Sequence, residues 1–212
     1  MALTIELGVA ELAATRFAIS PLSETVACLQ QLSGRDHNPA HLRWLRWAEN
    51  QLADTPLDLS HTWPLLVSTR PNWPEFLVPA PQGAAATIED DLGALRGTTA
   101  WQVRASLSRV FGGDLPPAAA DVAAHPAAGL RAISDELRLA YERLVAPHWA
   151  RIRAVLEADI TYRARQLALG GTEKLFADLH QDLRWHDGSV RLTGERAGEP
   201  TTWSAAGPAG WS

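Results

Sequence analysis

Apolar residues recur at spacings of three and four along most of the chain up to Leu183, the period of an amphipathic helix. Leu22, Val26 and Leu29 predict a helix over residues 21–33. Ser20 can cap it, Pro21 fits its first position because the missing N–H would be unpaired there, and Gly34 lies just past its end. Leu42, Leu45, Ala48 and Leu52 predict a second helix over 40–53, with Trp44 and Trp47 adding bulk beside that stripe. Leu92 and Leu95 mark a third, and Val103 and Leu107 with Val110 or Phe111 a fourth. Both open on capping boxes, Thr87 with Asp90 and Thr99 with Gln102. From Pro126, the residues Leu130, Ile133, Leu137, Tyr141 and Leu144 predict one long helix that Pro147 breaks. Trp149, Ile152, Leu156 and Ile160 continue on one face to about Leu169, where Gly170-Gly171 end the helix and Thr172 can cap a short one through Leu179.

Elsewhere the helical period is lost. Leu3, Ile5 and Leu7 alternate as in a short strand or extended arm, before a turn of helix near Val9–Thr15. Residues 54–86 hold six prolines and read as a packed connector pinned by aromatics, with a short helix at Leu57–Val67. Residues 114–124 read as an Ala/Pro-rich connector. Near Leu183 the pattern turns to alternation, and Asp187-Gly188 between Trp185 and Val190 is a hairpin signal. A lone hairpin is marginal in water, so further sheet is expected. The expected fold is mainly α: a helical domain over 1–182, a small C-terminal β-hairpin starting in 183–193, and an irregular, disordered tail over 194–212.

A chain of 212 residues with 46% hydrophobic and 20% charged residues is long enough and apolar enough to bury a sizeable core. A net charge of -5 gives no global attraction to nucleic acid. The single cysteine, Cys28, excludes an internal disulfide and any cysteine-cluster metal site, and its place in the first helix reads as a small core or boundary residue, with a reactive thiol as the alternative. No leader-like segment opens the chain, and no apolar run reaches the roughly 18–20 residues of a membrane helix, so a cytoplasmic protein without membrane contact is expected.

Candidate chemistry is sparse. His37 and His41 have i,i+4 spacing, but Pro39 between them argues against one helical face. His125 and His148 each adjoin a proline at a helix start, where packing or surface roles fit better than ligation. His180 and His186 lie near Asp178, Asp182 and Asp187 without the spacing of an established metal site. Neither a nucleophile elbow nor a phosphate-cradling loop occurs. No catalytic residue, cofactor or metal ligand is assigned, and an enzyme is not expected. The arginines of Arg131–Arg165 interleave with Asp135, Glu136, Glu142, Glu157 and Asp159, which reads as a solvated helix face.

Nine tryptophans in a chain of this length are the exception. Most serve packing, but an aromatic-lined pocket or partner surface would draw on the same residue type. Trp63, Trp73, Phe76 and Trp101 are the candidates for such a surface, and Trp185 and Val190 for exposed apolar area that drives self-association.

Several segments, taken together, resemble bacterial regulators of the ArsR-like winged-helix class. They are Glu11-Leu12-Ala13 and the run from Arg16 to Thr25, then Asn72-Trp73-Pro74-Glu75-Phe76-Leu77-Val78-Pro79-Ala80-Pro81 and Ile88-Glu89-Asp90-Asp91-Leu92. Leu144-Val145-Ala146-Pro147-His148-Trp149, Arg151-Ile152-Arg153, Glu157-Ala158-Asp159, Gly170-Gly171 and Leu183-Arg184-Trp185 follow in the family's order over residues ~3–192. The resemblance implies transcription regulation, homodimers, a small-molecule effector, and DNA reading by a C-terminal winged helix-turn-helix that matches no position here. It implies no metal sensing, because the thiolate motif of the metal-sensing members is absent. The tail Thr202–Ser212 departs from the family's glycine-bearing strand, and a shift of reading frame between about Leu192 and Thr202 would restore it. The chain is thus expected to be the N-terminal effector or dimerisation portion of such a regulator. A helical small-molecule or protein-binding module with a Trp-rich pocket is the alternative, and a helical enzyme ranks last.

Overall fold

A computed structural model describes residues 3–6, 14–34, 41–68, 72–177, 179, 183–186 and 189–192. The chain is mainly helical, and its described residues fall into two compact units, one drawn from 18–151 and the other from 1–17 and 152–208. Among the described residues no helix is long and apolar enough to cross a membrane.

The larger unit begins with α1, Pro21–Leu32. Ser20 caps it, its side chain accepting from Ser23 N at 3.0 Å, and Gly34 turns the chain at φ 73°. Leu22, Val26 and Leu29 are buried, as their spacing predicts. In α2, Leu42–Asp54, the buried line is displaced. Leu42 is 51% exposed, whereas Trp44 and Ala48 are buried. Trp44 wins the inward position because its indole carries more apolar area and also donates Nε1–H to the Leu144 carbonyl at 3.4 Å.

In the connector over 54–86 the helix is shorter than the expected Leu57–Val67, reduced to α3, Trp63–Leu66. A 3₁₀ turn at Glu75–Leu77 then drives Phe76 and Leu77 into the core. Glu75 N donates to Ser106 Oγ at 2.9 Å, and the Glu75 carboxylate pairs with Arg109. Helices α4, Ile88–Arg96, and α5, Ala100–Phe111, both start on complete capping boxes.

Residues 117–124 correct the sequence reading: they form a helix, α6 (Pro117–Ala124), where a connector is expected. Pro117 at its first position removes only a donor that would be unpaired, and the alanines after it are the strongest helix formers. Helix α7, Pro126–Ala140, crosses α6 closely enough that a Cβ on Gly129 would lie 2.9 Å from Val122 Cγ2.

The expected long helix does not run unbroken through Tyr141 and Leu144. A π turn occupies Tyr141–Val145 and a 3₁₀ turn Ala146–His148 before α8 starts at Trp149. Pro147 explains the change, because it has no N–H for the Arg143 carbonyl and its ring would collide with it. Widening the turn keeps Leu144 and Val145 buried.

One buried carboxylate ties α1 to α4. Asp91, 1% exposed, accepts from Ser20 Oγ at 2.7 Å and from Leu22 N at 3.2 Å. Burial raises its pKa despite these two bonds, which act in the opposite direction.

The second unit holds α8 from Ile152 onward (α8 spans Trp149–Ala177) and three strands. Gly171, at φ 65° and ψ −162°, breaks α8 where Gly170-Gly171 predict a stop. Strands β1 (Leu3–Glu6), β2 (Leu183–His186) and β3 (Ser189–Leu192) form a sheet of order β1-β3-β2, antiparallel throughout. Ile5 and Trp185 both pair with Val190 across it. The expectation that Trp185 and Val190 lie exposed is corrected: Val190 is 6% exposed, and Trp185 stacks on Phe176 with centroids 5.4 Å apart. The Phe176 ring supplies cover for Trp185. Asp187-Gly188, the residues beyond Leu192, and all but Ala14 and Thr15 of the Val9–Thr15 turn lie outside the described residues.

Candidate functional site

The larger unit contains a pocket of about 700 Å³. The C-terminal half of α1 gives it Leu29 and Leu32, α2 gives Leu52 and Ala53, and the start of α3 gives Trp63. Its remaining wall is the chain from Pro56 to Ser60, with Leu57 and Leu59 turned to the pocket. Glu49 is the one ionisable side chain in the lining.

That wall has no regular structure to hold it. Two charged side chains from one neighbouring segment hold its ends. At the first end, the Arg143 guanidinium donates to the carbonyls of Gln51 at 3.1 Å, Thr55 at 2.5 Å and Pro56 at 3.4 Å. These include carbonyls at the C-terminus of α2, where orphan acceptors and the negative end of the helix dipole attract a cation. At the second end, the Glu136 carboxylate accepts from His61 N at 3.0 Å, Thr62 N at 2.8 Å and His61 Nδ1 at 2.7 Å. The two backbone donors are orphan N–H groups just ahead of α3. Glu136 and Arg143 are seven residues apart, so they lie on one side of α7 and the π turn that extends it. The reading of Arg131–Arg165 as a solvated face is therefore corrected at these two positions, and also at Arg163, which is buried and paired with Asp159.

Of the four aromatic candidates, Trp63 lines the pocket. Trp73 is half-buried, Phe76 belongs to the core, and Trp101 is 76% exposed on α5, so the four are not gathered on one surface. The pocket's aliphatic side was not distinguished from core by spacing, since Leu29 and Leu52 sit in ordinary amphipathic stripes.

The remaining titratable groups near α1 are burdened by burial. Glu24 is raised to about 6, even though its place in the first turn of α1 would favour the ionised form. Burial, and after it the Glu24 carboxylate, also pushes the Cys28 thiol up, which makes that thiol a poor nucleophile. Because the folded pKa of Glu24 is raised, its contribution to stability is full below pH 4.5 and is lost as the pH climbs through about 6. Glu24→Gln is therefore expected to stabilise the protein by about 1–2 kcal/mol at pH 7.5 and by nothing near pH 4. Urea unfolding of both proteins across that range checks this, and a constant difference would refute it.

His148 and His125 serve packing and local pairing. His148 meets the Trp47 ring edge-on with centroids 4.5 Å apart, and burial with Arg151 lowers its pKa. His125 pairs with Asp121 at 3.3 Å within one helical turn. Among the described residues no group of three or more His, Cys, Asp or Glu side chains could hold a metal ion. His37 and His180 lie outside the described residues. Other arginines also pair within the protein, Arg138 with Glu89 at 2.7 Å and Arg163 with Asp159 at 2.6 Å.

No protein-family model, curated protein or solved structure matches the chain significantly.

Proposed function

We propose that the helical unit is a ligand-binding module that takes an apolar small molecule in the pocket beside Trp63. The observation that carries this reading is the pocket itself. Its volume of about 700 Å³ and its lining of leucines, prolines and one tryptophan suit a drug-sized apolar ligand. In this proposal the ligand is the effector of a transcriptional regulator of the ArsR-like winged-helix class. The regulator half of the reading rests on the resemblance in residues ~3–192 and on nothing in the pocket. The protein acts as a homodimer, and the DNA reader is a winged helix-turn-helix to which none of these residues corresponds. A small β-hairpin about Asp187-Gly188 and an irregular tail belong to the same proposal. The net charge of -5 fits a portion that makes no phosphate contacts of its own.

Titration of the full chain with N-phenyl-1-naphthylamine, a neutral apolar fluorophore, tests the pocket. One saturable site is expected. Trp63→Ala should weaken it about tenfold by removing a large apolar contact. Ala53→Trp should abolish it, because the new ring enters the pocket from an exposed helix position that tolerates it in the free protein. Binding that survives Ala53→Trp with circular dichroism unchanged would refute this site.

A further inference from the structure

The charge pattern of the pocket says more than its size. We propose that its ligand carries a positive charge, as a hydrophobic amine or quaternary ammonium does; this rests on the pocket reading above. Glu49 supplies the only formal charge in the lining, which contains no lysine, arginine or histidine. Among the described residues the Glu49 carboxylate makes no ion pair, while the neighbouring cation Arg143 is already turned to three carbonyls. The second polar side chain in the lining, Ser60, is engaged locally: its N–H donates to Asp58 Oδ1 at 3.1 Å and its hydroxyl lies 3.5 Å from His61 Nδ1. Trp63 adds an indole, the aromatic face that attracts cations most strongly. An anionic ligand would meet the Glu49 carboxylate and no cation in the lining. A neutral ligand would use the apolar walls and at most hydrogen-bond to Glu49, leaving its charge uncompensated. An ammonium group matches the charge of the carboxylate and the face of the indole together, with its hydrocarbon body among Leu29, Leu32, Leu52 and Leu57.

Three ligands with one skeleton separate charge from apolar fit: 4-phenylbutylamine, 4-phenylbutan-1-ol and 4-phenylbutyrate. Each is used to displace the fluorophore from the full chain at pH 7.5. The amine should bind about three- to tenfold more tightly than the alcohol, as one solvent-accessible ion pair and one cation–π contact allow, and the acid most weakly. Glu49→Gln, a change at an exposed position that keeps the side chain's shape and removes its charge, should bring the amine down to the alcohol's affinity. Equal binding of amine and alcohol to the unaltered protein would overturn the inference while leaving the apolar pocket intact. So would tightest binding of the acid, or an amine preference that persists in Glu49→Gln. Failure of all three ligands and of the fluorophore would remove the pocket reading and this inference with it.

Discussion

Glu136→Ala should lower the unfolding free energy by about 3 kcal/mol. The carboxylate is the acceptor for two backbone N–H groups and one imidazole nitrogen, and its side chain is only 11% exposed. Hydrogen bonds to a charged group contribute about 1.5–3 kcal/mol each, and donors left without an acceptor away from water add their own cost. Water reaching the vacated space limits the sum. Glu136→Gln keeps one carbonyl oxygen in place but turns an amide toward a donor, so it should lose about half as much. Equilibrium urea unfolding gives both values. The alanine variant should also bind the fluorophore more weakly, because the Ser60 end of the pocket wall has lost its anchor. A loss of stability below 0.5 kcal/mol, on the scale of an ordinary surface change, would refute the clamp.

The second large effect concerns Asp91. Removing its carboxylate strands the Ser20 hydroxyl and the Leu22 N–H, both buried at the start of α1. Ser20 is at once the donor to Asp91 and the acceptor from Ser23 N, so the helix cap loses its outer support as well. Asp91→Ala should cost about 2–3 kcal/mol at neutral pH, the desolvation of two orphan groups less the relief of a buried charge. Asp91→Asn keeps an oxygen for both donors and removes the charge, so at pH 7.5 it should equal or exceed the parent in stability. The sign follows from the raised pKa: an acid that burial makes harder to ionise stabilises the fold at low pH and loses that contribution as the pH rises. Thermal unfolding at pH 5 and 7.5 distinguishes the two variants. An asparagine variant as unstable as the alanine one would show that the charge itself holds α1 to α4.

These two sites also mark where the sequence stops being readable. Ser20, Thr87 and Thr99 were legible as caps because a cap and its target lie within three residues of each other. The distant partner of Ser20 is not legible in the same way. Asp91 looks like one more acid in the first turn of α4, and its bond to Ser20 spans 71 residues. Glu136 and Arg143 sit among alternating charges and look like solvated helix surface, yet their partners lie 74 to 75 and 87 to 92 residues away. The helix at Pro117–Ala124 is hidden for the opposite reason: its alanines give no amphipathic contrast, so propensity has to decide what periodicity does not. Trp63 could be named as a pocket candidate but not separated from Trp73 or Trp101, because a tryptophan's spacing does not say which surface closes over it.

The spacing of Glu136 and Arg143 works as a ruler. Seven residues of helix advance only about 10 Å, whereas the chain from Thr55 to Thr62 could stretch to about 24 Å. Tethered at both ends to so short a rule, the intervening chain has to bow outward, and the bow is the wall of the pocket. The width of the cavity is then set by how many residues lie between the tethers. Lengthening or shortening 57–60 would resize the cavity while every helix keeps its place, so variation in one short loop could retune the size of the guest without rebuilding the host.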